Sequence, residues 1–321
     1  MSRPRREEGG FALIAVLLVL AFVAVIGAEF AYSMRLEASA ARIYKETLIA
    51  THLAEAGIEQ ATRELVADFA FVSLGDEKDP GNDPDCPLVF YTAARVALKR
   101  LPHKNVPLGG GQFTYCITDE EGRFNLNTML TGDRFVRLLE AMGIERADRD
   151  VISDSLLDWK DPNEEHRING AESEDTYLKL PVPYRSKNGN LDSVAELVQI
   201  RGITPAVMEG VDGRRGLVDV VSVWGSSQIN VNTAGREVLR ALGLSDAQFS
   251  DIEQARRQTP DFATARFATA GVSLSHASRT FRIEATGLVE GQVRARIIAI
   301  VRKGTTTGTD GMTVLEWSGV R

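Results

Sequence analysis

Residues 8–28 read EGGFALIAVLLVLAFVAVIGA. From Phe11 to Ala28 no side chain is charged or strongly polar, a run of about 18 residues at the short end of what a helix needs to cross a bilayer. Arg3, Arg5 and Arg6 stand ahead of it and would keep the N-terminus in the cytoplasm while the rest of the chain is sent outward. A cleaved secretory signal has a shorter apolar core closed by small residues, a site that Gly27-Ala28 could supply. A plain anchor is the second reading. A third keeps the helix and removes only what precedes it, and it rests on Gly9-Gly10 placed directly before Phe11.

The residues after the apolar run favour a retained helix. No proline occurs between Pro4 and Pro80, and residues 29–72 are rich in Ala, Glu, Leu and Arg, which are good helix formers. Apolar or small residues recur at Tyr32, Leu36, Ala40 and Ile43, then at Ala54, Ile58, Ala61, Leu65 and Phe69, the spacing of one helical stripe. A helix from Phe11 to about Val72 would be roughly 90 Å long. Sustained heptads with paired charges, the mark of a coiled-coil stalk, are absent. The remainder reads as an ordinary globular chain, with 44% hydrophobic and 25% charged residues among 321. A net charge of −7 speaks against a general nucleic-acid binder, which needs a basic face.

Beyond the stem, "DEKDPGNDPDCP" (76–87) is a loop by composition, and a short helix is expected after it from Phe90 to Leu101. "QFTYCITDEEGRFNLN" alternates, with Phe113, Tyr115 and Ile117 on one face and Thr114, Cys116 and Thr118 on the other. "RTFRIEATGLVEGQVRARIIAIVRK" reads as a hairpin turning near Glu290-Gly291, and "MTVLEWSGV" as a last strand. Too few strands lie on either side of the helical region 125–270 to form separate domains, so one sheet split by an insertion is expected. Inside it, "FNLNTM" (124–129) and "INVNTA" (229–234) share an apolar-Asn-apolar-Asn-Thr pattern, and each precedes a helix ending in Gly. The echo supports two related lobes.

The leader ending in Gly9-Gly10 before Phe11-Ala12-Leu13-Ile14 resembles the class III leader of type IV pilins and pseudopilins. "LLDWKDPNEEHRINGAESEDTY" (156–177), "KNGNLDSVAELVQIRGIT" (187–204) and "INVNTA" resemble the inserted domain of the K-type minor pseudopilins of type II secretion systems. The resemblance covers nearly the whole chain. It implies an α+β, pilin-like fold: a leader (1–10), a transmembrane helix (11–28), an amphipathic stem (29–72), a loop with the first strands (73–124), an inserted all-helical domain of two small SAM-like or helix-hairpin-helix-like lobes (125–270), and C-terminal antiparallel strands (271–321). It also implies cleavage after Gly10 and N-methylation of Phe11 by a prepilin peptidase, then insertion in the bacterial inner membrane with the bulk of the chain in the periplasm. Most pilins carry Glu where this chain has Ala15. A buried carboxylate is expensive in lipid unless paired, so a subunit without it suits a tip with no neighbour ahead. The implied partners are the I- and J-type minor pseudopilins and the major pseudopilin, met through the stem stripe at Ile43, Ile58, Leu65 and Phe69. The implied role is to start pseudopilus assembly for protein export across the outer membrane. A type IV pilus minor pilin and a membrane-anchored DNA-uptake protein are the alternatives.

The densest oxygen donors lie in 158–175, a composition suited to the six to eight hard ligands of Ca2+, with Gly170 to allow a sharp turn. A solvated acidic loop is the other reading. The resemblance implies calcium held by Asp161, Asn163, Glu172 and Asp175, with Asn163 standing where Asp is commoner. "LDSVAELVQIRGITPAVM" and "INVNTAGREVLRALGLSDAQF" resemble helix-hairpin-helix units, with Ser193 and Glu196 at capping-box spacing and Gly202 placed to end a helix. Asp192, Glu196, Glu209 and Asp212 interrupt the arginines there, so a packing unit is preferred to a nucleic-acid contact. Cys86 and Cys116 would both face an oxidising compartment, where a disulfide is expected and two buried thiols are the alternative. The four histidines have no ligand spacing and neither cysteine has a nearby activating His, so no enzyme is expected.

Overall fold

In the computed structural model the chain is described over residues 9–66, 70–73, 86–92, 96–130, 133–258, 274–304 and 311–319. Helix α1 spans Gly9–Leu65, 57 residues and about 86 Å. It ends before the expected Val72. Ala70–Ser73 is instead a strand, β1, paired antiparallel with β2, Leu88–Tyr91. The same pairing removes the helix expected from Phe90 to Leu101, where Tyr91 bridges Ala97. Aromatic and β-branched side chains explain both corrections. Phe71 sets its ring edge-on to Phe90 at 6.2 Å and to Phe281 at 5.4 Å, contacts that a continued helix would carry away from the core.

After β3 (Val106–Leu108) and β4 (Gly111–Asp119) the chain enters the insertion through a 3-10 turn, Glu120–Gly122. There it forms β5 (Phe124–Asn125), α2 (Arg134–Ala141) and α3 (Arg146–Lys160), then 3-10 turns at Tyr177–Lys179 and Val194–Gln199. It continues through α4 (Pro205–Glu209), α5 (Leu217–Val220), β6 (Val221–Ser222), β7 (Ile229–Asn230), α6 (Arg236–Ala241), α7 (Asp246–Gln258) and β8 (Leu274–Ser275). The insertion is therefore not all-helical: β5 pairs with β6 and β7 with β8, both parallel. Because β8 pairs with β7, the insertion reaches past residue 270 to Ser275.

The C-terminal strands β9 (Thr280–Val289), β10 (Gln292–Lys303) and β11 (Met312–Ser318) complete a five-stranded antiparallel sheet in the order β11-β10-β9-β4-β3. The β9–β10 turn falls at Glu290 and Gly291, with φ of 52° and 75°, the left-handed pair of a tight hairpin. Phe113, Tyr115 and Ile117 of β4 point to one face, as their alternation requires, and pack there with Ile283, Ala285 and Ile297 against α1. The helix contributes Ala50, Leu53, Ala54, Ile58, Ala61 and Leu65. Contact is closest at Gly287, where a Cβ would lie 1.8 Å from the Ala50 carbonyl oxygen. Upstream of Glu46, α1 is exposed from Phe11 to Lys45.

A second core lies wholly in the insertion, from Phe124 to Ile252, and the sequence echo is a structural repeat within it. Asn125 Oδ1 accepts from the Asn127 amide at 2.8 Å, and Asn230 Oδ1 from the Asn232 amide at 3.0 Å. Leu126 N donates to Ser222 O at 2.8 Å, as Val231 N does to Ser275 O at 2.9 Å. The helices that come next end alike, on Gly143 (φ 79°) and Gly243 (φ 90°). Ile144 N donates back to Leu139 O at 3.0 Å and Leu244 N to Leu239 O at 3.1 Å, which satisfies carbonyls left open by the helix end. Both lobes share the single core, so neither is buried alone.

Candidate functional site

The membrane and stem region is the simplest feature. The first turns of α1 form the one candidate span among the described residues, with mean hydropathy 3.1 and nothing packed against it. Gly10 lies in the helix and Phe11 is 81% exposed, while residues 1–8 lie outside the described residues. The partner stripe expected from periodicity divides in two. Ile58 and Leu65 are 5% and 1% exposed against the chain's own sheet, so they are core and cannot meet a partner. Ile43 is exposed, together with Tyr32, Leu36, Tyr44 and Leu48; Phe69 lies outside the described residues.

Three consecutive carboxylates, Asp119, Glu120 and Glu121, are buried where the sheet meets the insertion. Asp119 Oδ2 accepts from Thr233 Oγ1 at 2.6 Å, Ser278 Oγ at 2.7 Å and Asn230 Nδ2 at 2.9 Å. Burial pushes its carboxyl up to about 6, against the downward pull of the bonds from Thr233, Ser278 and the Glu121 amide. Glu120 faces the Arg282 guanidinium through two bonds, 3.1 and 3.0 Å. Burial would raise its pKa, but the charges of Arg123 and Arg282 outweigh that and hold it below the usual carboxylate range. Glu121 Oε1 accepts from Thr280 Oγ1 at 2.9 Å and from the Thr280 amide at 3.2 Å. On the same side of the sheet, Glu316 accepts from Ser193 Oγ at 3.0 Å and Trp224 Nε1 at 2.7 Å. The insertion is thus bolted to the sheet by buried charge. Sequence patterns did not single out this knot; three acidic residues ending an alternating apolar strand were the available signal.

The acidic loop follows α3, whose C-cap is Asp161. Asp158 is fully buried, and Gly170 passes so close that a Cβ there would meet Asp158 Oδ2 at 1.8 Å. Arg167 Nη1 sits between two of the carboxylates, 2.6 Å from Asp158 Oδ1 and 2.8 Å from Asp161 Oδ2. Asn163 donates to Asp161 Oδ1, and Asp175 Oδ1 accepts from the Glu172 amide at 2.9 Å. Glu172 is 1% exposed; its Oε2 accepts from Ser186 Oγ at 2.7 Å, but Oε1 has no partner. Burial raises the Glu172 pKa, and Asp158, Glu164 and Asp161 add to the effect. As they stand, no three His, Cys, Asp or Glu side chains among the described residues converge on one metal position. The donors nevertheless suit a hard cation, because a buried carboxylate oxygen without a partner is costly. Arg167 meanwhile supplies the local positive charge.

The hairpin at 200–204 is turned inward. Ser193 and Glu196 close the expected capping box, and Gly202 has φ 88°. The Arg201 amide donates to Tyr177 Oη and Arg201 Nη1 to Gly170 O at 3.0 Å. These groups are engaged within the fold, as a packing unit requires. Elsewhere, Cys86 and Cys116 have their Sγ atoms at bonding distance, with Cα atoms 5.3 Å apart.

Residues 122–212 match the family model described as type II secretion system protein K. Protein K of Pseudomonas aeruginosa is 28% identical over 261 residues, covering 78% of this chain and 73% of that protein. Protein K of Pectobacterium carotovorum is 26% identical over 277 residues, covering 80% and 76%. A chain in the crystal structure of the GspK-GspI-GspJ complex from enterotoxigenic Escherichia coli shares the fold, with a TM-score of 0.61 at 18% identity over 88% of this chain and 99% of that one. With its bare apolar stem, its pilin-like sheet and its doubled insertion, the chain is similar to the K proteins of type II secretion systems in sequence and in fold.

Proposed function

We propose that this chain occupies the tip of a periplasmic pseudopilus and starts its assembly with I- and J-type minor pseudopilins. The observation that carries the reading is a second, rigidly bolted core beside a stem helix left bare from Phe11 to Lys45. Filament subunits bury such helices against one another, and a head widened by some 150 residues does not repeat along a narrow filament. Ala15 supports the end position, since a lone carboxylate there would lie unpaired in lipid. The structural neighbour was crystallised with GspI and GspJ, which supports the choice of partners. On this reading a prepilin peptidase cuts after Gly10 and methylates Phe11, the helix anchors in the inner membrane, and the major pseudopilin stacks below. Tyr32, Leu36 and Ile43 then meet the partner stems.

A chain beginning at residue 31 retains both cores, because every buried residue among those described lies at or beyond Glu46. Mixed with soluble I- and J-type subunits of the same genome, it is expected to elute as a ternary complex in size-exclusion chromatography. Separate elution of the three would overturn the placement. Calcium belongs to the same proposal: Asp161, Asn163, Glu172 and Asp175 supply oxygens, and the ion would hold the loop against α3. Asp161→Ala is then expected to lower the melting temperature in calcium but not in chelator, whereas equal loss in both would leave Arg167 as the cation of the loop.

A further inference from the structure

Against the chain's net charge of −7, one face of the second lobe is rich in arginine. A cavity of about 500 Å³ opens between β1 and the α6–α7 pair, lined by Arg215, Arg236, Arg256 and Arg257 and by two acidic groups, Glu237 and Glu253. A second, of about 310 Å³, shares Arg215 and adds Arg214, beside Glu145 and Asp148. The two cavities adjoin at Arg215, and together they are taken as one groove.

Two of its cations, Arg215 and Arg236, are exposed and only loosely paired. Arg236 lies 4.7 Å over the Phe249 ring, which fixes the guanidinium plane. Among the described residues it makes no direct ion pair, though, after the hydrogen bond from Arg240, its charge also lowers the pKa of the Asp246 carboxyl. Arg215 reaches Glu237 only at 3.9 Å. Arg256 is 6% exposed, spends its donors on the Val231 and Ala234 carbonyls and feels the charge of Glu253, so it adds positive charge to the lining rather than a free fork. Exposed guanidinium forks such as those of Arg215 and Arg236 bind carboxylates through two parallel bonds. The interleaved glutamates oppose a continuous phosphate chain but leave room for spaced acidic side chains.

We propose that this groove docks an extended, carboxylate-rich polypeptide segment of a partner protein. The inference does not depend on the tip placement, since no residue of α1 lines either cavity.

The full chain in detergent micelles, titrated with fluorescein-labelled hexaglutamate and followed by anisotropy, tests it. Binding should be absent with hexaglutamine and should weaken as salt rises. The double variant Arg215→Gln/Arg236→Gln, altered only at exposed positions, should bind about ten-fold more weakly or worse with unchanged melting. Glu237→Gln should bind more tightly, because it frees Arg215 and removes a repulsion; this variant decides the matter if the double variant melts early. Undiminished binding by the folded double variant, weaker binding by Glu237→Gln, or displacement of the peptide by a short DNA duplex or millimolar inorganic phosphate would each overturn the proposal.

Discussion

Asp119 provides a test in which the sign is as informative as the size. Its carboxyl is raised from 3.8 to about 6 by burial. Between those values the folded protein holds a proton that the unfolded chain has released, so unfolding stability falls as pH rises through the window. The contribution is fully present below pH ~4 and gone above pH ~7, and a shift of two units corresponds to about 3 kcal/mol. Other carboxylates titrate over the same range, so wild type alone would not isolate the effect. Asp119→Asn removes this titration and leaves the rest. Urea unfolding of chains beginning at residue 31, followed by the fluorescence of Trp159 and Trp224, gives both stabilities at each pH. The difference, wild type minus variant, should decline by about 3 kcal/mol from pH 4 to pH 7. A flat or rising difference would refute the claim that burial dominates over the hydrogen bonds from Thr233 and Ser278.

Gly287→Val should lower stability by about 3 kcal/mol in urea unfolding, because its Cβ meets the Ala50 carbonyl, whereas Gly110→Val, with nothing within 4 Å, should change little. Leu65→Ala should cost about 2–5 kcal/mol as a core cavity. Ile43→Ala should stay within about 0.5 kcal/mol yet reduce capture of the I- and J-type subunits. Intact mass should rise by about 2 Da on reduction if Cys86 and Cys116 are joined, and Cys86→Ser/Cys116→Ser should lose about 3–4 kcal/mol for a loop of 30 residues.

Local pattern carries much of this fold. Phe113, Tyr115 and Ile117 alternate because a strand has period two, and Glu290-Gly291 marks a turn because its backbone must be left-handed. The doubled Asn motif is visible because the same hydrogen bonds demand the same residues at both sites. Periodicity says that a helix has an apolar face but not what covers it, so it offers Ile58 and Leu65 to partners when the chain's own sheet takes them. "AFVS" at 70–73 fits a helix stripe as well as a strand, and only the distant Leu88–Tyr91 decides. Arg167 reads as one charge among many, since its place between Asp158 and Asp161 depends on a turn that composition does not reveal. The junction is hidden for a related reason: Asp119 and Glu120 find partners 111 to 162 positions further on.

That separation bears on how the protein comes to be made. Strand β4 pairs with β9, bringing Asp119 opposite Phe281. Closing so long an unstructured loop would cost several kcal/mol, about 4–5 for 160 residues, and such closure slows folding. The insertion holds its own core, and its repeat ends at Ser275, next to the start of β9. Once folded, it presents the two strand ends side by side. The insertion would therefore serve as a template for the sheet it interrupts, and emerging chains would acquire their long helix first, their insertion second and their split sheet last.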